Sequence, residues 1–156
     1  LLLAIAGLHY TALDVSQPSI MSEILIRYSD WFLTTPMLLV VLASYYNLSS
    51  KVTTELVICN LIMIFFGLLY ELTKNYTFWA IGTGAYFMLV YRLYKVLPER
   101  DLFYRYFVVG WSAYGVVSLL PAQKRLIPYN IMDGYNKLAF AMEIRHKILK
   151  DVAKRK

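Results

Sequence analysis

Arg27-Tyr28-Ser29-Asp30-Trp31-Phe32-Leu33-Thr34-Thr35-Pro36 sets an arginine, an aspartate and two threonines inside the apolar run 24–42. That run is close to the roughly 20 residues a helix needs to cross a bilayer. On a helix, Asp30, Thr34 and Val41 fall at offsets of four and eleven, close to one stripe, with Arg27 one turn away. An ionisable side chain in lipid costs several kcal/mol unless it is paired or hydrated. Packing alone offers one account: an interfacial Arg–Asp pair, hydroxyls bonded back to their own helix, and a kink at Pro36.

A second polar cluster lies near the other end of the chain. Asp133 and Lys137 are four residues apart, so on a helix they share a face about 6 Å apart along the axis. Lys137 sits near the middle of the apolar run 127–149, too deep to snorkel to the interface. A buried salt bridge that fixes packing is one reading of the pair. His9, alone in a short apolar segment, reads first as a packing residue. Two such clusters in one chain are harder to assign to packing.

Around these clusters the whole chain has a membrane composition. Its 156 residues are 59% hydrophobic, 16% aromatic and only 17% charged, too little polar surface for a soluble domain of this size. The runs 24–42, 56–72, 76–94, 102–120 and 127–149 are each near spanning length. Short turns near 47–51, 73–76, 98–101 and 121–128 predict antiparallel neighbours. Residues 1–13 are too short to cross, and the chain opens on Leu, so it is expected to begin inside a helix; no signal-peptide pattern accompanies this start. One bundle domain is expected over 1–149, followed by a basic tail over 150–156 that frays beyond about Leu149.

The net charge of +6 does not point to nucleic acid. Alternating the loops gathers Lys51, Arg92, Lys95, Arg100, Arg105 and the tail on one side. Lys74, Lys124 and Arg125 remain on the other. This is the positive-inside pattern, with a cytoplasmic C-terminus and a tail suited to anionic lipid. The single cysteine, Cys59, cannot form an internal disulfide. No metal site and no enzymatic function are expected.

The two clusters resemble those of the microbial (type 1) rhodopsins. RYSDWFLTTP is similar to the third helix of that family and DGYNK to the seventh, whose lysine carries retinal as a Schiff base. FWAIGTGAY resembles the fifth helix and WSAYG the sixth, so the likeness runs from about Ile5 to Leu149. IAGLHY and YNIMDGYNK look closest to proteorhodopsins. The resemblance implies an all-α membrane protein, a seven-transmembrane-helix bundle of which this chain covers the end of helix two to helix seven. It also implies covalently bound all-trans retinal and a homo-oligomer in the lipid bilayer.

Carried over residue by residue, the resemblance makes Lys137 the retinal Schiff base. Asp30 becomes primary counterion and proton acceptor, and Asp133 the second carboxylate. Arg27 is expected to keep Asp30 ionised, Thr34 to hydrogen-bond to Asp30, and His9 to share the counterion's proton. Trp31, Trp111 and Tyr114 match positions that sandwich the polyene, and Trp79 lies toward the ring end. Thr35, Leu38, Met63, Gly67 and Thr83 match further pocket positions, Leu38 being a residue that accompanies green absorption. Without the resemblance these would be ordinary core residues.

Several positions depart from the family. Val41 stands where proton pumps carry a carboxylate donor, and a valine cannot relay a proton. Glu143 is one candidate replacement, although its neighbours Arg145, His146 and Lys147 favour a salt-bridge role. Gly115 replaces the usual sixth-helix proline, Ser118 replaces a large aromatic, and the loop 121–130 has no carboxylate for a paired release group. A light-driven outward proton pump is the first functional expectation. A light-gated ion channel or sensory photoreceptor is the alternative, and a retinal-free structural protein the third.

Overall fold

The computed structural model describes residues 19–97 and 102–154. The expectations attached to His9 and to the first apolar segment lie outside the described residues. Every regular element among the described residues is helical: α1 (Ile20–Tyr45), α2 (Ser50–Thr73), α3 (Tyr76–Val96), α4 (Leu102–Val117), a 3-10 turn (Ala122–Lys124) and α5 (Leu126–Lys154). These correspond to the five apolar runs. The chain divides into two compact units, Leu1–Leu97 with α1–α3 and Pro98–Lys156 with α4 and α5.

Side-chain caps start the helices of the first unit. Ser19, Ser49 and Asn75 accept the N–H groups of Ser22, Val52 and Thr77 through their side-chain oxygens, which satisfies donors that have no partner inside the helix. Lys74 closes α2 with a left-handed φ of 57° and gives its N–H to the Tyr70 carbonyl at 2.7 Å. α1 passes through Pro36, which has no N–H for the preceding turn. Just before it, Thr34 and Thr35 turn their hydroxyls onto the carbonyls of Asp30 and Trp31 at 2.9 and 2.7 Å.

α2 packs against both α1 and α3. Its register against α1 is set at two places: Asn60 Nδ2 donates to Thr35 Oγ1 at 2.7 Å, and the Tyr28 hydroxyl lies where a Cβ on Gly67 would come within 3.1 Å. Against α3, a Cβ on Gly82 would stand 3.2 Å from the Met63 carbonyl oxygen, so a missing side chain lets two backbones approach. α1 and α2 are each long and apolar enough to cross a membrane.

In the second unit α4 packs against α5. Any Cβ on Gly110 would collide with the amide of Asn136. Two ends differ from the sequence expectation. α4 stops at Val117 rather than Leu120: Ser118 Oγ donates to the Gly115 carbonyl at 2.6 Å, and Leu119 and Leu120 tighten to i−3 bonds ahead of Pro121. The two departures at Gly115 and Ser118 are therefore bonded to each other. α5 begins at Leu126 and takes Pro128 into its first turn, where the missing N–H costs no intrahelical bond.

α5 also continues to Lys154 instead of fraying from Leu149. Its last turns are made of helix formers such as Leu, Lys and Ala, and Lys147 pairs with Glu143 one turn back at 3.8 Å. At 29 residues the helix is about 43 Å long, more than the ~30 Å hydrocarbon thickness of a bilayer.

Candidate functional site

The buried face of α5 repeats every four residues as Tyr129, Asp133 and Lys137. Lys137 is 3% exposed, and its Nζ donates to Asp133 Oδ2 at 2.6 Å. The other carboxylate oxygen of Asp133 accepts from the Tyr114 hydroxyl of α4 at 3.1 Å. Tyr114 in turn stacks on Tyr129 with centroids 6.0 Å apart, and Trp111 stacks on Phe107 at 4.2 Å. Both oxygens of the carboxylate are thus engaged, one with a cation and one with a neutral donor.

Such a pair is costly as a packing device, since desolvating two charges rivals their attraction and apolar residues of similar volume often do as well. An interior lysine amine is also the group that condenses with a carbonyl-bearing ligand. The arrangement can hold a cation at Nζ and bind such a ligand covalently in a setting walled by aromatic rings.

The first unit holds a second set of buried polar groups. Asp30 is 4% exposed and Thr34 fully buried, and Arg27 lies one turn before Asp30 on the buried face of α1. Thr34 does bond to Asp30, but through the main-chain carbonyl at 2.9 Å. The packing account of the threonines, back-bonding to their own helix, is what both hydroxyls do. Trp31 is buried and meets Tyr28 edge to face at 5.0 Å. Leu38 is buried with them, while Met63, Gly67, Trp79 and Thr83 are half-buried within their unit. Val41 is exposed within this unit.

Three polar residues escaped the sequence reading. Asn60 is fully buried, and its Oδ1 has no hydrogen-bond partner; an uncharged amide inside the apolar run 56–72 was its only signal. Glu71 is buried at the end of α2, where it accepts from Lys74 Nζ at 2.7 Å. It lies at the edge of the apolar run 56–72, where a charge gives no signal of burial. Arg125, counted with the loop charges, is buried with its Nε donating to the Leu120 carbonyl. Glu143 pairs with Lys147, the role its neighbours suggested.

Comparison with known proteins fits this geometry. A family model described as bacteriorhodopsin-like protein matches residues 1–149. The bacteriorhodopsin of Halobacterium salinarum is 35% identical over 122 residues, covering 67% of this chain and 47% of that protein. Sensory rhodopsin-2 of Haloarcula vallismortis is 32% identical over 145 residues, covering 78% of this chain and 61% of that protein. The chain thus spans about half to three-fifths of the length of these curated relatives. Among solved structures, viral rhodopsin OLPVRII matches with a TM-score of 0.83 at 23% identity, covering 96% of this chain and 78% of the other; that likeness speaks for the fold.

Proposed function

The chain belongs to the bacteriorhodopsin-like family, and on that premise we propose that it is a light-driven outward proton pump with retinal covalently bound in the all-trans form at Lys137. Members of the family are integral, multi-pass membrane proteins with a retinal chromophore, and they include proton pumps and sensory rhodopsins. The observation that carries the reading is the Lys137 amine held at 2.6 Å by Asp133 inside the α4–α5 pair. These residues fit the chromophore: a nucleophilic amine, an anion to keep it charged, and the Tyr114 ring of α4 hydrogen-bonded to that anion.

Lys137 Nζ would hold retinal by condensing with its aldehyde carbon with loss of water, and the group would supply visible absorption and a light-driven change of shape. At rest Lys137 Nζ holds a proton, and Asp133 with Asp30 balances its charge. In the light Asp30 accepts the proton. Arg27 keeps Asp30 ionised before the transfer, and Thr34 fixes the backbone that carries it. Val41 offers no carboxyl group on the cytoplasmic side, so Nζ regains its proton from cytoplasmic water. The family resemblance adds Trp31, Trp79, Thr35, Leu38, Met63 and Thr83 as further chromophore-binding residues, with Leu38 favouring green absorption.

The positive-inside distribution supports a cytoplasmic C-terminus, with the end of α5 beside anionic lipid. The HY and YNK contexts of His9 and Lys137 support proteorhodopsin-like chemistry in which His9 shares the proton of Asp30, and the family's habit supports a homo-oligomer. A second reading, a sensory photoreceptor or light-gated channel, is favoured by Val41 and by the sensory relative, because a slow return to the resting state suits signalling. Illumination of unbuffered cells expressing the full-length protein separates the two. A pump acidifies the medium, and a protonophore abolishes the signal. Currents that reverse with the ion gradient, or no proton flux from a protein that forms the pigment, sink the pump reading.

A further inference from the structure

Glu71 is a buried ionisable group that this mechanism leaves unused. Its side chain is 3% exposed, whereas Lys74, its ion-pair partner, is 48% exposed. An i,i+3 pair with a half-exposed lysine needs no buried carboxylate, and a glutamate on the surface would serve it equally. Glu71 also lies in the last turn of α2, where the helix dipole opposes negative charge. The pair with a half-exposed lysine therefore does not account for why this side chain is buried rather than on the surface.

The register of α2 against α1 shows what else this face meets. Asn60, Gly67 and Glu71 fall on one stripe, at offsets of seven and eleven. The first two touch Thr35 and Tyr28 of α1. Seven residues on along α2 correspond to seven residues back along α1, so the helices run antiparallel in step. Four residues further, Glu71 comes level with buried Ile24, one turn beyond Arg27 and Tyr28 toward the Ile20 end. Helical side chains lean toward their own N-terminus. Arg27 therefore leans toward the level of Glu71, and Glu71 leans back toward Tyr28.

Resting on the pump reading, we propose that Glu71 is a positioning residue: an ionised carboxylate on the non-cytoplasmic side that shares the Arg27 guanidinium with Asp30 and holds it when Asp30 carries the proton. No proton leaves Glu71 in this scheme. The proton taken by Asp30 goes out from Asp30 itself, once Arg27 returns to it. Among the described residues, the charged and titratable groups at this end of the unit are Lys74 and Tyr70 on α2, Glu23, Arg27, Tyr28 and Asp30 on α1, and Tyr76 on α3, whose ring lies 5.4 Å from that of Tyr70.

Acid titration of the visible band of the full-length protein reconstituted with retinal tests the proposal. Protonation of Asp30 shifts the band to the red, and Asp30→Asn removes the transition. Glu71→Gln gives Arg27 wholly to Asp30, so the transition moves to lower pH by about half a unit or more, and Glu71→Asp restores part of it. Lys74→Gln, at a half-exposed position, moves the transition the other way. Both shifts shrink in an Arg27→Gln background, which a purely structural role for Glu71 does not produce. A transition that survives Asp30→Asn overturns the counterion reading. One that is lost in Asp30→Asn but unmoved by Glu71→Gln and Lys74→Gln overturns the role of Glu71 alone.

Discussion

Asn60 Nδ2 and Thr35 Oγ1 lie 2.7 Å apart, and the same threonine hydroxyl is 2.7 Å from the Trp31 carbonyl. One oxygen thus accepts from α2 and donates within α1, one residue before Pro36. The bond fixes the two helices in register where α1 lacks a backbone hydrogen bond. It also ties Trp31, an expected wall of the chromophore slot, to a residue on another helix.

Cutting this link is expected to loosen the first unit. Asn60→Ala removes a buried hydrogen bond and leaves a cavity, a loss of about 2–4 kcal/mol. Thr35→Val alone strands the Asn60 amide. The double variant should cost less than the two single ones together, with a coupling of about 1 kcal/mol. Thermal unfolding in detergent gives the comparison; strict additivity would show that the bond contributes nothing.

Lys137→Ala should abolish the visible band on addition of retinal and also destabilise the protein. It strands Asp133, whose partner at 2.6 Å is gone, a penalty of roughly 3–5 kcal/mol. Lys137→Ala combined with Asp133→Asn should recover much of the stability and none of the colour. Absorption and thermal unfolding of the same samples distinguish the two roles of the lysine.

Two glycines of α4 should respond oppositely to alanine. At Gly110 a Cβ collides with Asn136, so Gly110→Ala should destabilise the protein by about 1–3 kcal/mol, as overpacking does. Asn136→Ala in the same chain should relieve it. At Gly115 a Cβ meets nothing within 4 Å, and Gly115→Ala should be neutral within the second unit or stabilising by up to about 1 kcal/mol through helix propensity. Equal losses at both positions would contradict the packing described for Asn136.

Resupply of the proton offers a kinetic test. With valine at position 41, recovery after a flash should slow about tenfold for each unit rise in pH, since water-borne protons replace a fixed donor. Val41→Asp should accelerate recovery and flatten that dependence. Glu143→Gln should leave it unchanged, because Glu143 is already engaged with Lys147. Slower recovery in Glu143→Gln would make Glu143 the donor.

Legibility in the sequence followed the type of signal. Apolar runs and ionisable residues within them are local features, and they located the five described helices, the Lys137–Asp133 pair and the Arg27–Thr34 stripe. Helix ends were read less well. Ser118 stops α4 early by bonding to Gly115, and Pro128 is absorbed into α5, because both outcomes depend on hydrogen bonds of neighbouring turns. Asn60 was passed over because an amide in an apolar run carries no charge to draw notice.

What the sequence determined by itself is the set of helices and the chemistry available to them. A buried lysine four residues from an aspartate must share its face, because a helix turns by 3.6 residues. Tertiary structure decided which groups on different helices meet. That Asn60 answers Thr35, that Tyr114 completes Asp133, and that Glu71 is buried depend on the register between helices. Register is set where side chains are absent or small, at Gly67, Gly82 and Gly110, and the spacing of residues along a single helix carries no record of it.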